Sequence, residues 1–330
     1  MSTATRPLAL HLEADAWPAD ALATLESRFE LVRADVEDPA EVAALLRQRP
    51  YTVLLTRLGL PIDATTVRDC PSLRLVATPT TGLDHLDLAG LSEAGITVVS
   101  LRDARERIVD VTATAEHTWA LLLACARRLP SAVEDVAAGG WHRRRFLGRE
   151  LAGATLGIVG HGRLGRRVAG YGRAFGMDVL VTDVDPAALT GLAPGVRAVS
   201  DDELLSGSDV VSLHLPLDER TRGWLSAERI ARLRPGAIVV NTARGELVDD
   251  DALADALADG RLGGLALDVV ADDGRWGERA PGDALTRLVA TRDDVVITPH
   301  IGGWAADAVA TTRRLLAGLV VERLDQEGIR

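Results

Sequence analysis

An arginine and a histidine in the second half of the chain are of the residue types needed for acid–base chemistry on a carbonyl. Arg244 lies in the run Asn241–Asp249, and His300 follows a proline and precedes two glycines in the run Pro299–Gly303. An arginine fork can hold a carboxylate through two parallel hydrogen bonds and polarise a neighbouring carbonyl. A histidine can pass a proton to or from a hydroxyl near neutral pH. The pair therefore predicts proton transfer on a small carboxylate-bearing substrate.

A glycine-rich segment follows a predicted strand and opens a predicted helix in the pattern GxGxxG. Gly160 permits the tight turn, Gly162 lets the backbone approach a pyrophosphate, and Gly165 packs the helix on the strand. The pyrophosphate would lie at the helix N-terminus, at Arg163 and Leu164, where free N–H groups and the helix dipole favour an anion. The segment predicts a dinucleotide site; a glycine-rich structural turn is the alternative.

The next predicted strand leads to Asp183, which lies 18 residues after Gly165. A carboxylate at this point of a dinucleotide-binding unit accepts hydrogen bonds from the adenosine ribose hydroxyls. Asp185 adds a second negative charge, and no arginine follows at once. A 2′-phosphate would be repelled here, so the sequence favours NAD over NADP as the cofactor.

The composition excludes several other kinds of chemistry. The chain has no lysine, and all 37 basic residues are arginine. A Schiff base, a pyridoxal lysine, a P-loop lysine and a kinase lysine are therefore impossible. The net charge of −11 argues against nucleic acid or an anionic membrane as a partner. We also expect no metal site, because the remaining histidines have no metal-ligand spacing: His11, His85, His117, His142 and His161.

Length and cysteine content predict an ordinary two-domain globular protein in a reducing setting. The 330 residues suffice for about two domains of roughly 150 residues each. No apolar run approaches the roughly 18 residues of a membrane helix, and the first residues have no secretory apolar region. Cys70 and Cys125 lie far apart without a CxxC motif, so we expect two buried thiols and a cytoplasmic location.

Short β-branched runs alternate with alanine- and leucine-rich stretches, which is typical of parallel α/β architecture. The predicted strands are Leu8–Leu12, Glu30–Arg33, Val53–Thr56, Leu73–Ala77, Thr97–Val99, Thr155–Val159, Asp178–Thr182, Val210–Leu213, Ala237–Asn241, Gly264–Asp268 and Val295–Thr298. The predicted helices include Ala19–Arg28, Pro39–Arg49, Ala113–Arg128, Leu164–Ala174, Asp201–Leu205, Asp250–Asp259 and Trp304–Asp325. Because carboxyl ends of parallel strands share one edge, the segments with Arg244 and His300 are expected to meet there.

Nearly the whole chain resembles the D-isomer-specific 2-hydroxyacid dehydrogenase family, which includes D-lactate, glycerate and D-3-phosphoglycerate dehydrogenases. The resemblance depends on several segments together: Thr81–Asp87, Ala115–His117, the GxGxxG motif, Ser212–Leu217, Asn241–Asp249 and Pro299–Gly303. It implies that Arg244 binds the substrate carboxylate and keto oxygen. It also implies that His300 is the acid/base and that Asp268 holds the nicotinamide carboxamide.

The resemblance also implies further binding positions. The loop at Thr81 and Gly82 would receive the substrate carboxylate. Arg57 would reach a distal anion of the substrate, although a surface ion pair is the alternative. The implied cofactor-lining residues are His214, Pro216, Thr242 and Ala243. His117, beside Glu116 on the long helix, is expected to make a helix–helix contact.

Two domains are implied by the same resemblance. Residues 1–105 and 300–330 would form a smaller, flavodoxin-like substrate domain, and residues 106–299 a Rossmann-type NAD-binding domain with a doubly wound parallel sheet. The active site would lie in the cleft between them, and closure would exclude water. The Ala113–Arg128 helix and the arm after it, with its basic run Arg143–Arg145, would form a homodimer interface; a solvated basic face is the alternative.

Two positions depart from the family pattern. The family's third catalytic residue is a glutamate, but Asp273 stands at that position, with one methylene fewer. Three alternatives follow. Asp273 could pair with His300 after a backbone shift, Asp272 or Glu278 could be the acid that pairs with it, or no acid pairs with the histidine. Trp304 replaces a small residue four positions after His300, where it either lines the substrate pocket or packs between the domains.

The sequence thus predicts an NAD-dependent oxidoreductase that interconverts a small anionic 2-keto acid and a D-2-hydroxy acid. One alternative is a reaction on a phosphonate-type anionic analogue. Another is a non-catalytic, NAD-sensing binding protein, which the presence of Arg244 and His300 disfavours. A formate dehydrogenase is also disfavoured, because the glutamine and the asparagine characteristic of that branch are absent.

Overall fold

The computed structural model describes residues 6–36, 38–271, 284–289 and 291–328, and the chain divides into two α/β units. Unit 1 extends to Val111 and resumes at Trp304, whereas unit 2 extends from Thr112 to Gly303. The divisions therefore lie a few residues after the predicted ones at 105/106 and 299/300. Each unit has a parallel sheet with helices, which confirms the predicted fold class.

In the described residues, unit 1 has a sheet of five strands in the order β2-β1-β3-β4-β5, every neighbouring pair parallel. This is the order of flavodoxin-like sheets, in which the winding reverses between β1 and β3. The central strands are apolar runs buried on both faces, as parallel sheets require. The strands are β1 Leu8–His11, β2 Glu30–Arg33, β3 Tyr51–Leu55, β4 Leu75–Thr78 and β5 Thr97–Ser100.

Helices pack on this sheet, and aspartates at their N-termini determine where several of them begin. Asp38 accepts the amide of Ala40, and Asp63 accepts that of Thr66, so that free helix donors are satisfied. The helices of unit 1 are α1 Ala19–Glu26, α2 Pro39–Leu46, α3 Ala64–Val67, α4 Leu88–Glu93 and α12 Ala306–Glu327. The last helix, α12, returns to unit 1 as predicted, and Leu316 and Val320 are fully buried in its core.

In the described residues, unit 2 has a larger sheet of seven strands in the order β12-β11-β10-β9-β6-β7-β8, with every pair parallel. The order is that of a Rossmann-type sheet with one added strand, and the winding reverses between β6 and β9. The strands are β6 Thr155–Val159, β7 Asp178–Thr182, β8 Val196–Ala198, β9 Val210–Leu213, β10 Ala237–Asn241, β11 Leu262–Leu267 and β12 Val295–Ile297. The edge strand β8 was not predicted.

The helices of unit 2 cover both faces of its sheet. They are α5 Ala113–Arg127, α6 Leu129–Ala137, α7 Arg163–Ala174, α8 Asp201–Gly207, α9 Ala227–Arg232, α10 Asp250–Ala258 and α11 Ala284–Val289. Helix α5 ends where Arg128 adopts a left-handed backbone with φ of 54°. Pro130 then lies in the first turn of α6, where its missing N–H costs no helical bond.

Short 3₁₀ helices connect several elements: Ala14–Ala16, Arg143–Arg145, Pro186–Leu189 and Gly245–Leu247. A longer 3₁₀ segment, Leu101–Ile108, has a kink at Ala104. Cys70 and Cys125 are buried free thiols. Among the described helices, none combines the length and the apolar character needed to span a bilayer.

Truncation of Leu316 should show how strongly α12 contributes to unit 1. Leu316→Ala removes a side chain with no exposed surface and is expected to lower the free energy of unfolding by about 2–5 kcal/mol, because the cavity cannot fully collapse. Urea unfolding followed by circular dichroism measures the change. Gln326→Ala, at an exposed position of the same helix, is the control. Equal stability of the two variants would mean that α12 is not part of this core.

Candidate active site

The predicted cofactor and catalytic segments of unit 2 follow the carboxyl ends of its parallel strands. Gly160 follows β6, His214 follows β9, Thr242 follows β10, Asp268 follows β11 and His300 lies beyond β12. Because these strands are parallel neighbours, their carboxyl ends lie along one edge of the sheet. Open α/β sheets bind their ligands at this edge, near the point where the winding reverses.

Two of the three glycines in the GxGxxG motif are required by their surroundings. Gly160 has φ of 92°, and a Cβ there would come within 2.6 Å of the His214 carbonyl oxygen. A Cβ on Gly165 would overlap the Gly160 carbonyl oxygen. A Cβ on Gly162 would instead meet no described atom within 4 Å, so open space lies above the start of α7. This space and the amides of the first helical turn fit a pyrophosphate.

Asp183 lies just after β7 and is already oriented by the backbone around it. Its Oδ2 accepts the amide of His161 at 2.7 Å, and its Oδ1 accepts the amide of Asp185 at 2.9 Å. His161 Nδ1 lies 2.8 Å from the Ala188 carbonyl oxygen, which also accepts a bond from Arg166 at 2.9 Å. Hydrogen bonds thus join the glycine-rich loop to the loop after β7, and the Asp183 carboxylate lies between them.

The predicted cofactor-lining positions of β9 and β10 lie at the same edge. His214 Nε2 lies 2.9 Å from the Ser212 hydroxyl, and burial lowers the pKa of His214 to about 4, so its ring is neutral at pH 7. Pro216 is exposed, and Ala243 is half-buried. The buried Thr242 hydroxyl lies 2.8 Å from the Thr118 hydroxyl on α5.

The buried side chain of Asn241 shapes the loop that presents Arg244. Its Nδ2 donates to the Arg244 carbonyl at 2.8 Å, and its Oδ1 accepts the Ala243 amide at 3.0 Å. Gly245 follows directly, and any Cβ there would overlap the Val270 backbone. Arg244 is half-buried, and its Nη1 donates to the Ala243 carbonyl at 2.7 Å. The guanidinium is therefore held at the end of β10 by a short, hydrogen-bonded loop.

His300 has an uncommon backbone conformation. Its φ is 54°, and Arg128 is the other non-glycine residue with positive φ in the described part of the chain. Its amide donates to the carbonyl oxygens of Asp268, at 2.8 Å, and Thr298, at 3.0 Å. A left-handed backbone costs a β-substituted residue of order 1 kcal/mol and persists where the surroundings enforce it, often at functional sites.

Asp268 is the buried acid of this edge, with 1% of its surface exposed. Its Oδ1 accepts the Thr298 hydroxyl at 2.5 Å and the Ile301 amide at 2.9 Å, and its Oδ2 accepts the Gly302 amide at 2.7 Å. An oxygen of a carboxylate can accept two bonds. Within the described residues Oδ2 accepts one hydrogen bond, so it can accept a second.

The predicted substrate residues belong to unit 1. Arg57 and Thr81 follow the neighbouring strands β3 and β4, where Arg57 is half-buried and Thr81 is exposed. The Gly82 carbonyl accepts the Thr80 hydroxyl at 2.7 Å, which shapes this loop. Trp304 is 56% exposed, and the guanidinium carbon of Arg313 lies 5.8 Å from its ring centroid.

Asp273 is the predicted acidic partner of His300. Asp273 and its alternatives Asp272 and Glu278 lie outside the described residues. Within the described ranges, no three His, Cys, Asp or Glu side chains come together as ligands for a metal ion.

Three side chains with structural roles at this edge were missed in the sequence. Asn241 was noted as part of a motif but not as the residue that shapes the Arg244 loop. Thr298 was noted as the end of a strand. His117 was expected in a helix–helix contact, yet its Nε2 lies 2.9 Å from the Thr298 hydroxyl and 3.2 Å from Asp268 Oδ1. Asn241 is the single asparagine of the chain, which was a usable signal. No sequence pattern links His117 to Thr298, which lies 181 positions later.

Comparison with known proteins agrees with this geometry. Residues 119–302 match the family described as D-isomer specific 2-hydroxyacid dehydrogenase, NAD binding domain. Glyoxylate reductase of Korarchaeum cryptofilum is 36% identical over 93% of this chain and 89% of its own length. D-lactate dehydrogenase from Aquifex aeolicus, solved with NAD and lactic acid, superposes with a TM-score of 0.79 at 29% identity, covering 97% of this chain and 96% of that one.

D-3-phosphoglycerate dehydrogenase of Mycobacterium leprae is 35% identical over 90% of this chain. The chain spans about half the length of that relative, since the match covers 53% of it. The family match covers more than half of this chain, and the reductase match extends over nearly all of both proteins. The chain belongs to the D-isomer-specific 2-hydroxyacid dehydrogenase family.

Proposed function

We propose that this chain is an NAD-dependent oxidoreductase that interconverts a small 2-keto acid and the corresponding D-2-hydroxy acid. The observation that carries the proposal is that Arg244 and His300 follow strands whose carboxyl ends lie on the same sheet edge as the glycine-rich loop. An anion-binding helix N-terminus, a carboxylate-binding arginine and a proton-transferring histidine on one edge are the groups that such a redox reaction needs.

The residues of unit 2 fit a nicotinamide dinucleotide. The open space at Gly162 and the amides of Arg163, Leu164 and Gly165 would hold the pyrophosphate. Asp183 would accept the ribose hydroxyls, and the free acceptor position of Asp268 Oδ2 would take the carboxamide. His214, Pro216, Thr242 and Ala243 would line the rest of this site. When bound, the cofactor supplies or accepts the hydride.

Arg244 and His300 then divide the remaining work. Arg244 would bind the substrate carboxylate and polarise the keto oxygen. This polarisation makes the carbonyl carbon more electrophilic, so that it accepts a hydride more readily. His300 would donate a proton to that oxygen during reduction and accept the proton from the hydroxyl during oxidation. Asp273 remains the predicted partner of His300, since a carboxylate beside an imidazole stabilises its protonated form.

The relatives and the residues of unit 1 support the proposed substrate class. One relative is a glyoxylate reductase, and one solved structure is a D-lactate dehydrogenase with lactic acid bound. We therefore favour small 2-keto acids as substrates. Thr81 and Gly82 are proposed to receive the substrate carboxylate, and Arg57 and Trp304 to contact the rest of the substrate. A cytoplasmic location stays a prediction from the two free thiols.

His300→Ala should abolish most of the activity. NADH oxidation would be followed at 340 nm with glyoxylate, pyruvate, hydroxypyruvate, phenylpyruvate, 2-ketoisocaproate, 3-phosphohydroxypyruvate and phosphonopyruvate. With the best substrate, we expect kcat/KM to fall by about 10²–10⁴-fold, the usual contribution of general acid–base catalysis, while NADH binding by fluorescence is unchanged. His142→Ala, at an exposed histidine of the same unit, is the control.

Absence of turnover by the wild-type protein on every keto acid, with NADH still bound, would reject the proposed reaction and favour an NAD-sensing binding protein. A turnover number of His300→Ala equal to that of the control would reject the role of this histidine.

Asp183 should determine the preference for NADH over NADPH. Asp183→Ala removes an acceptor for the ribose hydroxyls and a charge that repels a 2′-phosphate. We expect the affinity ratio of NADH to NADPH to fall by about 10–100-fold, since hydrogen bonds to a charged group contribute roughly 1.5–3 kcal/mol. Titration of cofactor fluorescence measures both affinities. Asp185→Ala, which removes a neighbouring exposed carboxylate, should change the ratio less; an equal change would refute this role of Asp183.

The proposed homodimer would use the α5 helix and the arm after it. Apolar side chains of α6 and the arm are exposed: Leu129, Val133, Val136, Trp141 and Leu147. Several exposed apolar side chains in one segment are typical of an interface. Light scattering should give twice the 35.0-kDa chain mass for the wild type and a single chain mass for Val133→Arg. Val184→Arg, a matched change at an exposed valine elsewhere, should stay dimeric. A monomeric wild type would refute the proposal.

A further inference from the structure

His117 contacts a buried carboxylate that controls the backbone around His300. It lies on the second turn of α5, where 18% of its side-chain surface is exposed. Its Nε2 lies 2.9 Å from the Thr298 hydroxyl oxygen and 3.2 Å from Asp268 Oδ1. These partners lie after strands β12 and β11, so the imidazole joins α5 to the sheet edge that carries the candidate site.

The number of protons available determines the direction of the hydrogen bonds among His117, Thr298 and Asp268. An ionised carboxylate can only accept, so the single Thr298 proton is donated to Asp268 Oδ1. Thr298 can therefore interact with His117 only as an acceptor, and His117 Nε2 must carry the proton. The same N–H is within reach of Asp268 Oδ1. His117 thus donates into the Thr298–Asp268 pair.

The Asp268 residue in turn fixes three consecutive amides. Its carbonyl accepts the His300 amide at 2.8 Å, and its carboxylate oxygens accept those of Ile301 and Gly302 at 2.9 and 2.7 Å. The amides of three successive residues can point at one aspartate only if the backbone between them is tightly turned. The φ of 54° at His300 is part of that turn.

Close packing limits movement of this arrangement. A Cβ on Gly302 would lie 2.8 Å from Asp268 Oδ2 and 3.6 Å from His117 Cδ2, so the loop backbone lies directly against both side chains. Loss of the His117 donor would take a hydrogen bond from the Thr298 hydroxyl oxygen and a nearby N–H from a carboxylate with 1% exposure. The carboxylate can recover that loss by rotating, which moves the amides it holds.

We propose that His117 is a positioning residue for His300, acting through Thr298 and Asp268, and this inference builds on the proposed function. The imidazole orients the Thr298 hydroxyl and the Asp268 carboxylate, which hold residues 300–302 in the turned conformation. His117 touches neither substrate nor cofactor in this role. Its contribution is to the geometry of proton transfer, in which a displacement of about 1 Å can cost 10²-fold in rate.

Paired substitutions at position 117 separate positioning from packing. His117→Leu removes the donor, whereas His117→Gln keeps an N–H near the position of Nε2. With the best 2-keto acid, we expect His117→Leu to lower kcat by about 10–100-fold while the Kd of NADH changes less than about threefold. His117→Gln should recover most of that loss. A purely structural histidine would give Leu and Gln variants with the same kcat per folded molecule.

A second readout does not depend on turnover. Hydrogen–deuterium exchange of the peptide that contains Ile301 and Gly302 should be faster in His117→Leu than in the wild type and near the wild-type rate in His117→Gln. If His117→Leu does not fold, Thr298→Val removes the same link with a smaller change, and Thr298→Ser is its conservative partner. The same loss and recovery are expected for this pair.

The outcomes can be told apart from a failure of the proposed function. If the wild-type protein turns over and His117→Leu keeps both its kcat and its exchange rate, the positioning role is refuted while the function stands. If the wild-type protein turns over no keto acid, the proposed function fails, and the exchange rates of the two variants alone decide whether His117 holds the loop.

Discussion

The common direction of the strands in unit 2 is the constraint on which the candidate site depends. Parallel neighbours bring their carboxyl ends to one edge, so residues far apart in sequence come to adjacent loops without any specific contact between them. Gly160, His214, Arg244, Asp268 and His300 are all delivered in this way. The chain needs additional contacts only to fix the loops locally, and two buried polar side chains make them.

Asn241 and Asp268 perform this local task on neighbouring strands. Asn241 uses both of its amide atoms to close the loop of Arg244, and Asp268 uses its carboxylate and its carbonyl to close the loop of His300. Both side chains are about 1% exposed, so their hydrogen bonds are shielded from competing water. A buried polar group that is held by several hydrogen bonds favours one conformation, which is what a site for proton transfer needs.

Local patterns in the sequence were sufficient for much of this fold. The predicted bounds hold for five strands: Glu30–Arg33, Thr155–Val159, Asp178–Thr182, Val210–Leu213 and Ala237–Asn241. Four of them have buried and mainly apolar interiors, as parallel strands do, whereas Glu30–Arg33 is a partly exposed edge strand. Strand β8 was missed because it is three residues long and mostly exposed at the sheet edge, so burial imposes no apolar pattern on it. Helix α6 was missed because Pro130 indicates the end of a helix, whereas here it begins one.

The candidate site was predictable to the extent that single residue types carry chemistry. An arginine, a histidine and a glycine motif indicate a functional site by their type and spacing. The contact of His117 with Thr298 and Asp268 does not, because its partners are distant in sequence and a histidine on a helix has many structural uses. Resemblance to relatives supplied the roles of His214, Pro216 and Thr242, for which the residue types alone indicate no ligand.

The charge distribution explains how a chain with a net charge of −11 could bind an anionic cofactor and an anionic substrate. Charges on an exposed surface are screened beyond about 8 Å at physiological ionic strength, so most of the excess acts weakly on a bound ligand. The amides at the start of α7 carry roughly half a unit of positive charge and act within the first turn, and Arg244 adds a full charge at the end of β10. The carboxylates of Asp183 and Asp185 lie after β7, where a ribose and not a phosphate is expected. Selection among anions at this edge therefore depends on which strand each charge follows, and not on the sum of charges over the chain.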